Sequence, residues 1–313
     1  MITRLALLLS DLRLRLREAR SFLRFPLYVP LVATAGGSAA CVLLYGVPYA
    51  DWNAPLSDAT LWAGVSGVTS VVRLPALTVV SGLLARFVAR GARQVVVPTK
   101  TGHAKRLPRG WRSLCPDAAS IQALGDKRRF AAYMKANGLG DYCPATYADP
   151  DDAAYPCVLK RADLSASWGV VVVHSRAELE AQRQSPVFDG HPYTLQALMP
   201  GSTEHATYCV CKNGAILWHC TFLTEVAAAD TIKSEDSVLR RWKIETPEPI
   251  VREIESVLAP LAYDGPCNLD YKLGPDGRIK IFEINPRLGG SLMLPQYAEE
   301  LRQALSCIVA NAS

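Results

Sequence analysis

The chain has no Cys-x-x-Cys pair, although it contains nine cysteines: Cys41, Cys115, Cys143, Cys157, Cys209, Cys211, Cys220, Cys267 and Cys307. No second ligand pair accompanies His219-Cys220 either, and this argues against zinc, whose structural sites draw on two such pairs. The odd count, and the apolar runs around most of them such as 157–159 and 209–211, mark small reduced core residues of a cytoplasmic protein rather than disulfides. Cys209 and Cys211 alternate on a strand and so share a face. His103, His174, His191, His205 and His219 share no ligand spacing and read as surface or hydrogen-bonded residues rather than catalysts.

A strong excess of one charge is also missing. The net charge is +5, but residues 1–24 hold six arginines against Asp11 and Glu18 and so carry +4 of it. The rest of the chain is near neutral, without the cationic footprint that nucleic acid requires. An uninterrupted apolar span is lacking as well. Residues 25–50 are free of charge, but Pro26, Pro30, Gly36, Gly37, Gly46 and Pro48 break them up, which fits a buried strand and helix better than a bilayer crossing. Residues 11–24 are too charged for the apolar stretch of a signal peptide. No internal repeat is present.

What is there describes a globular chain of about two domains: 313 residues, half of them hydrophobic and a fifth charged. Leu12, Leu14, Leu16 and Phe22 interleave with Arg13, Arg15, Arg17 and Arg20, so residues 3–24 read as an amphipathic helix. It packs on the protein itself, with contact to an anionic membrane surface as the open alternative. Residues 68–74 and 94–98 are β-branched runs with a helical stripe over Val79–Arg90 between them, a strand-helix-strand unit that implies a parallel sheet. Gly125-Asp126-Lys127 opens a helix that ends at Gly138, and Asp149–Ala154 is a polar linker. The main boundary falls near residue 120.

The second half reads as hairpins backed by helices. Cys157–Lys160 and Val170–Val173 are strands joined by the Ser-rich loop Ala162–Gly169, and Ser175 with Glu178 forms a capping box. Residues 206–212 and 215–220 flank Asn213-Gly214, a two-residue hairpin turn. Residues 267–273 and 278–284 flank Gly274-Pro275-Asp276-Gly277. If that turn pairs Leu273 with Arg278, then Glu283 lies opposite Asn268, and the period of two puts Asp270, Glu283 and Asn285 on one face. Two carboxylates and an amide oxygen suit Mg²⁺ with phosphate oxygens completing its shell. Arg287 follows on the same side, where it can grip a phosphate or carboxylate, and Gly289-Gly290-Ser291 exposes backbone N–H groups.

The string Phe282–Ser291, preceded by Gly265–Tyr271 and the Asp276-Gly277 turn, resembles the metal-binding end of the ATP-grasp carboxylate–amine ligases. Asp126-Lys127, Val158-Leu159-Lys160, Ser165–Val173 and Gln196–Gly201 extend the resemblance upstream, so that it covers roughly residues 120–305. It implies a Rossmann-like α/β domain over 28–120, after a basic segment 1–27, and an ATP-grasp domain of two α+β subdomains over 121–313. It implies ATP and Mg²⁺, two ions with Mn²⁺ able to substitute, held by Asp270, Glu283 and Asn285. Lys127 and Lys160 would meet phosphates, beneath a loop to which Ser165, Ser167 and Gly169 contribute; this loop is poorer in glycine than in many relatives. Gln196, Ala197 and Leu198 would line the adenine, and Glu204 would accept from the ribose. Residues 221–247 show few strand or helix signals, and the resemblance makes them a mobile loop whose Arg240, Arg241 or Lys243 meets the transferred phosphoryl group.

The reaction so implied joins a small carboxylate, such as an amino acid, to an amine or thiol through an acyl phosphate, with release of ADP and phosphate. Arg287, Lys160, Arg241 and Lys243 are the expected catalytic cations, and closure of the Ala162–Gly169 loop would keep water out. Other readings stay open: a biotin-carboxylase-like enzyme, faintly supported by Arg240-Arg241-Trp242-Lys243, a carbamoyl-phosphate-type enzyme, a nucleotide-binding module without catalysis, or a membrane-surface scaffold. The oligomeric state is open too, a homodimer included.

Overall fold

Among the described residues, short β-branched runs punctuated by glycine and proline build three sheets. The computed structural model describes residues 28–30, 40–74, 93–108, 110–162, 169–228, 232–233 and 237–313. Its first sheet holds β1 (Tyr28–Pro30), β2 (Ala40–Tyr45), β3 (Val68–Leu74) and β4 (Arg93–Pro98), in the order β1-β3-β2-β4. β3 and β4 both run parallel to β2, while β1 pairs antiparallel with β3. The expected parallel strands are therefore present, separated by β2, which comes from the apolar run 25–50. Every residue of β2 is buried, as befits a strand covered on both faces. The helix expected over Val79–Arg90 and the segment 3–24 lie outside the described residues. A Rossmann-like reading depends on the crossover 75–92, which lies there too. Among the described residues no helix is long and apolar enough to cross a membrane.

The second sheet holds β5 (Thr146–Tyr147), β6 (Cys157–Arg161), β7 (Val170–Val173) and β8 (Tyr193–Ala197), all antiparallel, in the order β5-β8-β6-β7. Helix α1 (Lys127–Ala136) precedes it and begins as its sequence dictates. The Asp126 carboxylate accepts from the Arg128 and Arg129 N–H groups at 2.9 and 3.1 Å, and Gly138 closes the end at φ +68°. Helix α2 (Arg176–Arg183) starts at the expected Ser175 cap, whose Oγ accepts from Glu178 N; the Glu178 carboxylate returns to His174 N rather than to the cap's own N–H. Leu179 of α2 packs on Cys157, Leu159, Val173 and Leu195.

The third sheet runs β11-β10-β9-β12-β13, built from β9 (Thr203–Lys212), β10 (Ala215–Val226), β11 (Val238–Ile244), β12 (Gly265–Leu273) and β13 (Ile279–Asn285). Asn213 and Gly214 turn the first hairpin at φ +52° and +80°, and a Cβ on Gly214 would also press within 2.8 Å of Ala259 Cα. One face of the sheet carries Cys209, Cys211, Cys267, Leu269, Tyr271, Ile279 and Ile281 against Ile250, Ile254 and Val257 of α3 (Glu248–Leu258) and Phe130 and Met134 of α1. Each Leu, Ile, Val, Phe or Met among them contributes roughly 1.5–3 kcal/mol when fully buried. On the other face, Tyr208, Val210 and Phe222 share a core with Leu301, Leu305 and Ile308 of α4 (Ala298–Asn311) and with Val42, Leu44 and Val97 of the first sheet. All nine cysteines are free thiols.

Two expectations are corrected here. Residues 221–226 and 238–244 of the expected loop are strand: β10 runs on to Val226, and β11 pairs with it, Thr224 opposite Arg241 and Phe222 opposite Lys243. Its charges escaped notice as a strand because an edge strand tolerates polar residues on its exposed side. The last hairpin is also registered differently. Leu273 pairs with Ile279, and a bulge after Asp270 places Asp270 opposite Glu283 and Asn268 opposite Asn285. A longer turn alone would have sent Glu283 to the other face; the one-residue bulge restores it.

Candidate functional site

The bulge decides the chemistry of the surface between the two antiparallel sheets. A regular strand alternates its side chains, yet Phe282 and Glu283, adjacent in the chain, both line the same cleft. Lys127, Lys160, Gln196, Ala197, Leu198, Met199, Glu204, Lys233, Asp270 and Lys272 line it as well. Lys160, near the end of β6, donates to Gln196 Oε1 at 2.6 Å, and its ammonium lies 5.1 Å from the Phe282 ring centroid. Burial lowers its pKa to about 8, against the pull of Glu283, which favours the charge. Lys127 reaches across from the first turn of α1 to the Arg161 carbonyl at 3.1 Å. Ala197 N donates to the Ala145 carbonyl, and Lys272 donates to the carbonyls of Met199 and Gly201 at 3.0 and 2.5 Å, fastening the segment that follows β8. Gly169 sits at φ +64°, its carbonyl accepting from Arg161 N at 2.7 Å, whereas Ser165 and Ser167 lie outside the described residues.

A second cleft shares Lys233, Asp270 and Glu283 with the first and continues past them to Tyr49, Tyr208, Thr224, Arg241, Asn268, Asn285, Arg287 and Ser291. The paired strands thus set Asp270 and Glu283 on the wall common to both spaces. Asn285 Nδ2 donates to Glu283 Oε1 at 3.0 Å, and Asn268 Nδ2 lies 3.5 Å from Asp270 Oδ2. Arg287 donates to the Leu288 carbonyl at 3.0 Å and reaches Asn285 Oδ1 at 3.4 Å. Its guanidinium also lies over Tyr49 and Trp52, with 5.4 and 5.7 Å to the ring centroids, so residues that follow β2 of the first sheet orient it. Gly289 is needed where it is: a Cβ there would overlap the Tyr208 ring and come within 2.9 Å of Asn268 Oδ1.

Lys233 is the cation at the junction. Its ammonium is 2.8 Å from Asp270 Oδ1 and contacts Glu204 Oε1. Burial opposes its charge, but Asp270 and Glu204 outweigh that and hold it protonated above the ordinary lysine range. Asp270, Glu283 and Asn285 offer hard oxygens from neighbouring strands, and no group of three or more His, Cys, Asp or Glu among the described residues is placed to hold an ion alone. That donor set fits Mg²⁺ completed by phosphate oxygens.

Of the residues expected from sequence, Lys127, Lys160, Gln196, Ala197, Leu198, Glu204, Asp270 and Glu283 line the first cleft, and Arg241, Asn285 and Arg287 line the second. Lys243 lines neither; it pairs with Glu300 of α4 at 2.9 Å. Arg240 pairs with Glu225 and stacks on Trp242 at 4.4 Å, with two thirds of its side chain exposed. Sequence reasoning missed Asn268, Lys233, Lys272 and the aromatic seat of Arg287. Asn268 and Lys272 stand two residues either side of Asp270, a period-two signal that could have revealed them; Lys233, Tyr49 and Trp52 carry no local signal.

No protein-family model matches the chain, and no curated protein matches it either. Solved structures do. The D-alanine–D-alanine ligase of Bacillus anthracis, complexed with ATP, matches over 88% of this chain and 95% of its own, at 15% identity and a TM-score of 0.56. The L-amino acid ligase of Bacillus licheniformis matches over 87% and 75%, at 19% identity and a TM-score of 0.50. The phosphoribosylamine–glycine ligase of Thermotoga maritima matches over 83% and 70%, at 15% identity and a TM-score of 0.55. At these identities the likeness is one of fold.

Proposed function

From the ATP-grasp fold it shares with these ligases, we propose that the protein is an ADP-forming ligase that joins a small carboxylate, such as an amino acid, to an amine or thiol. The observation that carries this reading is the wall formed by Asp270 and Glu283, which separates two clefts and belongs to both. A phosphoryl group leaving a nucleotide in the first cleft passes that wall directly into the second.

Gln196, Ala197 and Leu198 take the adenine, and Glu204 takes the ribose hydroxyls. Lys127 and Lys160 neutralise phosphate oxygens. Asp270, Glu283 and Asn285 would hold Mg²⁺, two ions with Mn²⁺ able to substitute, and the metal would supply charge neutralisation at the β- and γ-phosphates. Arg287, held flat by Tyr49 and Trp52, orients the substrate carboxylate for in-line attack, and Arg241 meets the transferred group from β11. A carboxylate oxygen forms a bond to the γ-phosphorus as the bond to ADP breaks. The amine then attacks the acyl phosphate, loses a proton, and expels inorganic phosphate. No protein nucleophile takes part; the chain's work is positioning and electrostatics.

The test is nucleotide turnover with small carboxylates and amino acids, singly and in pairs, with hydroxylamine as a general nucleophile. ADP, phosphate and a hydroxamate are expected with at least one carboxylate. Release of AMP and pyrophosphate would overturn the reaction type, and nucleotide binding without turnover under any pairing would make the protein a binding module.

A further inference from the structure

Asp270 is one of the oxygen donors at the junction of the clefts, and it already holds a cation, one the chain itself provides. Asp270 on β12 stands opposite Ala206 on β9, two residues from Glu204, so the two carboxylates share a face. Lys233 Nζ lies between them, 2.8 Å from Asp270 Oδ1 and against Glu204 Oε1. All three side chains are mostly shielded from water, with 22% of Lys233, 11% of Glu204 and 17% of Asp270 exposed. In so dry a place an ion pair is strong, and breaking it leaves buried carboxylates uncompensated. A divalent ion on Asp270 would stand within a few ångströms of the ammonium and be repelled by it.

We infer that in the nucleotide-free protein Lys233, held by Asp270 and Glu204, occupies the cation position at Asp270, so that a free divalent ion is kept out and enters only together with a nucleotide. The inference rests on the reading of Asp270 as a metal donor. A hydrated ion alone must shed water and evict a doubly paired ammonium, gaining few ligands in return. Phosphate oxygens change that balance: they supply the missing ligands and give the released ammonium a new anion to pair with. Displacement also releases Glu204 to accept from a ribose. Metal and nucleotide therefore bind with positive coupling, and the coupling resides in one lysine.

The probe is Mn²⁺, followed by its electron paramagnetic resonance signal, with and without a non-hydrolysable β,γ-imido ATP analogue. The wild-type protein should bind Mn²⁺ at least about tenfold more tightly with the analogue than without it; equal affinities would overturn the inference, and this arm needs no variant. Lys233→Gln keeps hydrogen-bond donors for both carboxylates but removes the charge, and it should bind Mn²⁺ without nucleotide at least about tenfold more tightly than wild type. Lys233→Arg keeps the charge and should still exclude the metal. Unchanged nucleotide-free affinity in a Lys233→Gln protein that still binds the analogue with Mn²⁺ would sink the Lys233 inference and leave the proposed function standing. If the wild-type protein fails to bind the analogue with Mn²⁺ at all, the reading of the clefts falls, and this inference with it.

Discussion

Lys160 offers a quantitative test of the proposal that phosphates bind in the first cleft. Its ammonium is buried beside Gln196 and Phe282, and that burial lowers its pKa from an ordinary 10.5 to about 8. A phosphate needs the charged form. Below pH 8 the free protein carries that charge already; above it, binding must first protonate the lysine. The sign is therefore fixed: affinity for ADP is full below pH 8 and falls as pH rises through it. In the limit the loss is about tenfold, or 1.4 kcal/mol, per pH unit, because one proton is taken up on binding. At pH 7 roughly nine molecules in ten carry the ammonium, and at pH 9 roughly one in ten. Calorimetric titration of ADP without metal, from pH 7 to 9.5, should show a bend near pH 8. Lys160→Arg keeps its charge throughout and should give a flat profile, since guanidinium does not titrate there. A flat wild-type profile, or the same bend in the arginine variant, would refute the placement of Lys160 on a phosphate.

Other outcomes follow from the same geometry. Glu283→Gln should fold normally yet lose ADP release by about two orders of magnitude or more, because a charge that serves phosphoryl transfer is gone; wild-type turnover would remove Glu283 from the site. With ¹⁸O in the substrate carboxylate, label should appear in inorganic phosphate, whereas label in AMP would indicate attack at the α-phosphate. Lys272→Met releases the Met199 and Gly201 carbonyls that Lys272 fastens. It should weaken adenosine and ADP binding equally, by about tenfold for a charged hydrogen-bond donor lost. Lys160→Ala should instead weaken ADP far more than adenosine, and equal losses there would make that lysine structural.

How much of this could be read beforehand depends on the range over which each feature is encoded. The Asn213-Gly214 hairpin, the Asp126 cap of α1 and the paired strands β6 and β7 are set by neighbours a few residues apart, and each stands where the sequence puts it. The convergence of Asp270 and Glu283 was legible too, but for an incomplete reason. The turn spans one residue more than its Gly-Pro-Asp-Gly core, which by itself would reverse the face of Glu283. The bulge at Asp270 adds the residue that reverses it again. Two departures cancel, and nothing local announces either. The bulge also leaves a mark that no alternating strand could: Phe282 turns into the first cleft beneath Lys160 while Glu283 stays in it.

What escaped the sequence is what sheet topology brings together. Arg287 follows β13, yet its guanidinium is seated on Tyr49 and Trp52, which follow β2 near the other end of the chain. They meet because α4 packs its Leu301, Leu305 and Ile308 into one core with the first sheet and with β9 and β10. Leu288, beside the arginine, belongs to that core as well, so moving the core would tilt the arginine. Lys233 is the same case at shorter range: between β10 and β11 it has the look of a solvated charge, and only the β9–β12 pairing, which sets Glu204 and Asp270 on one face, gives its ammonium two carboxylates to hold. A charged side chain far from any motif acquires its role from the strands that happen to flank it. The cations of such a site therefore have to be assigned from pairing register, and sequence distance to the Phe282–Ser291 string is no guide to them.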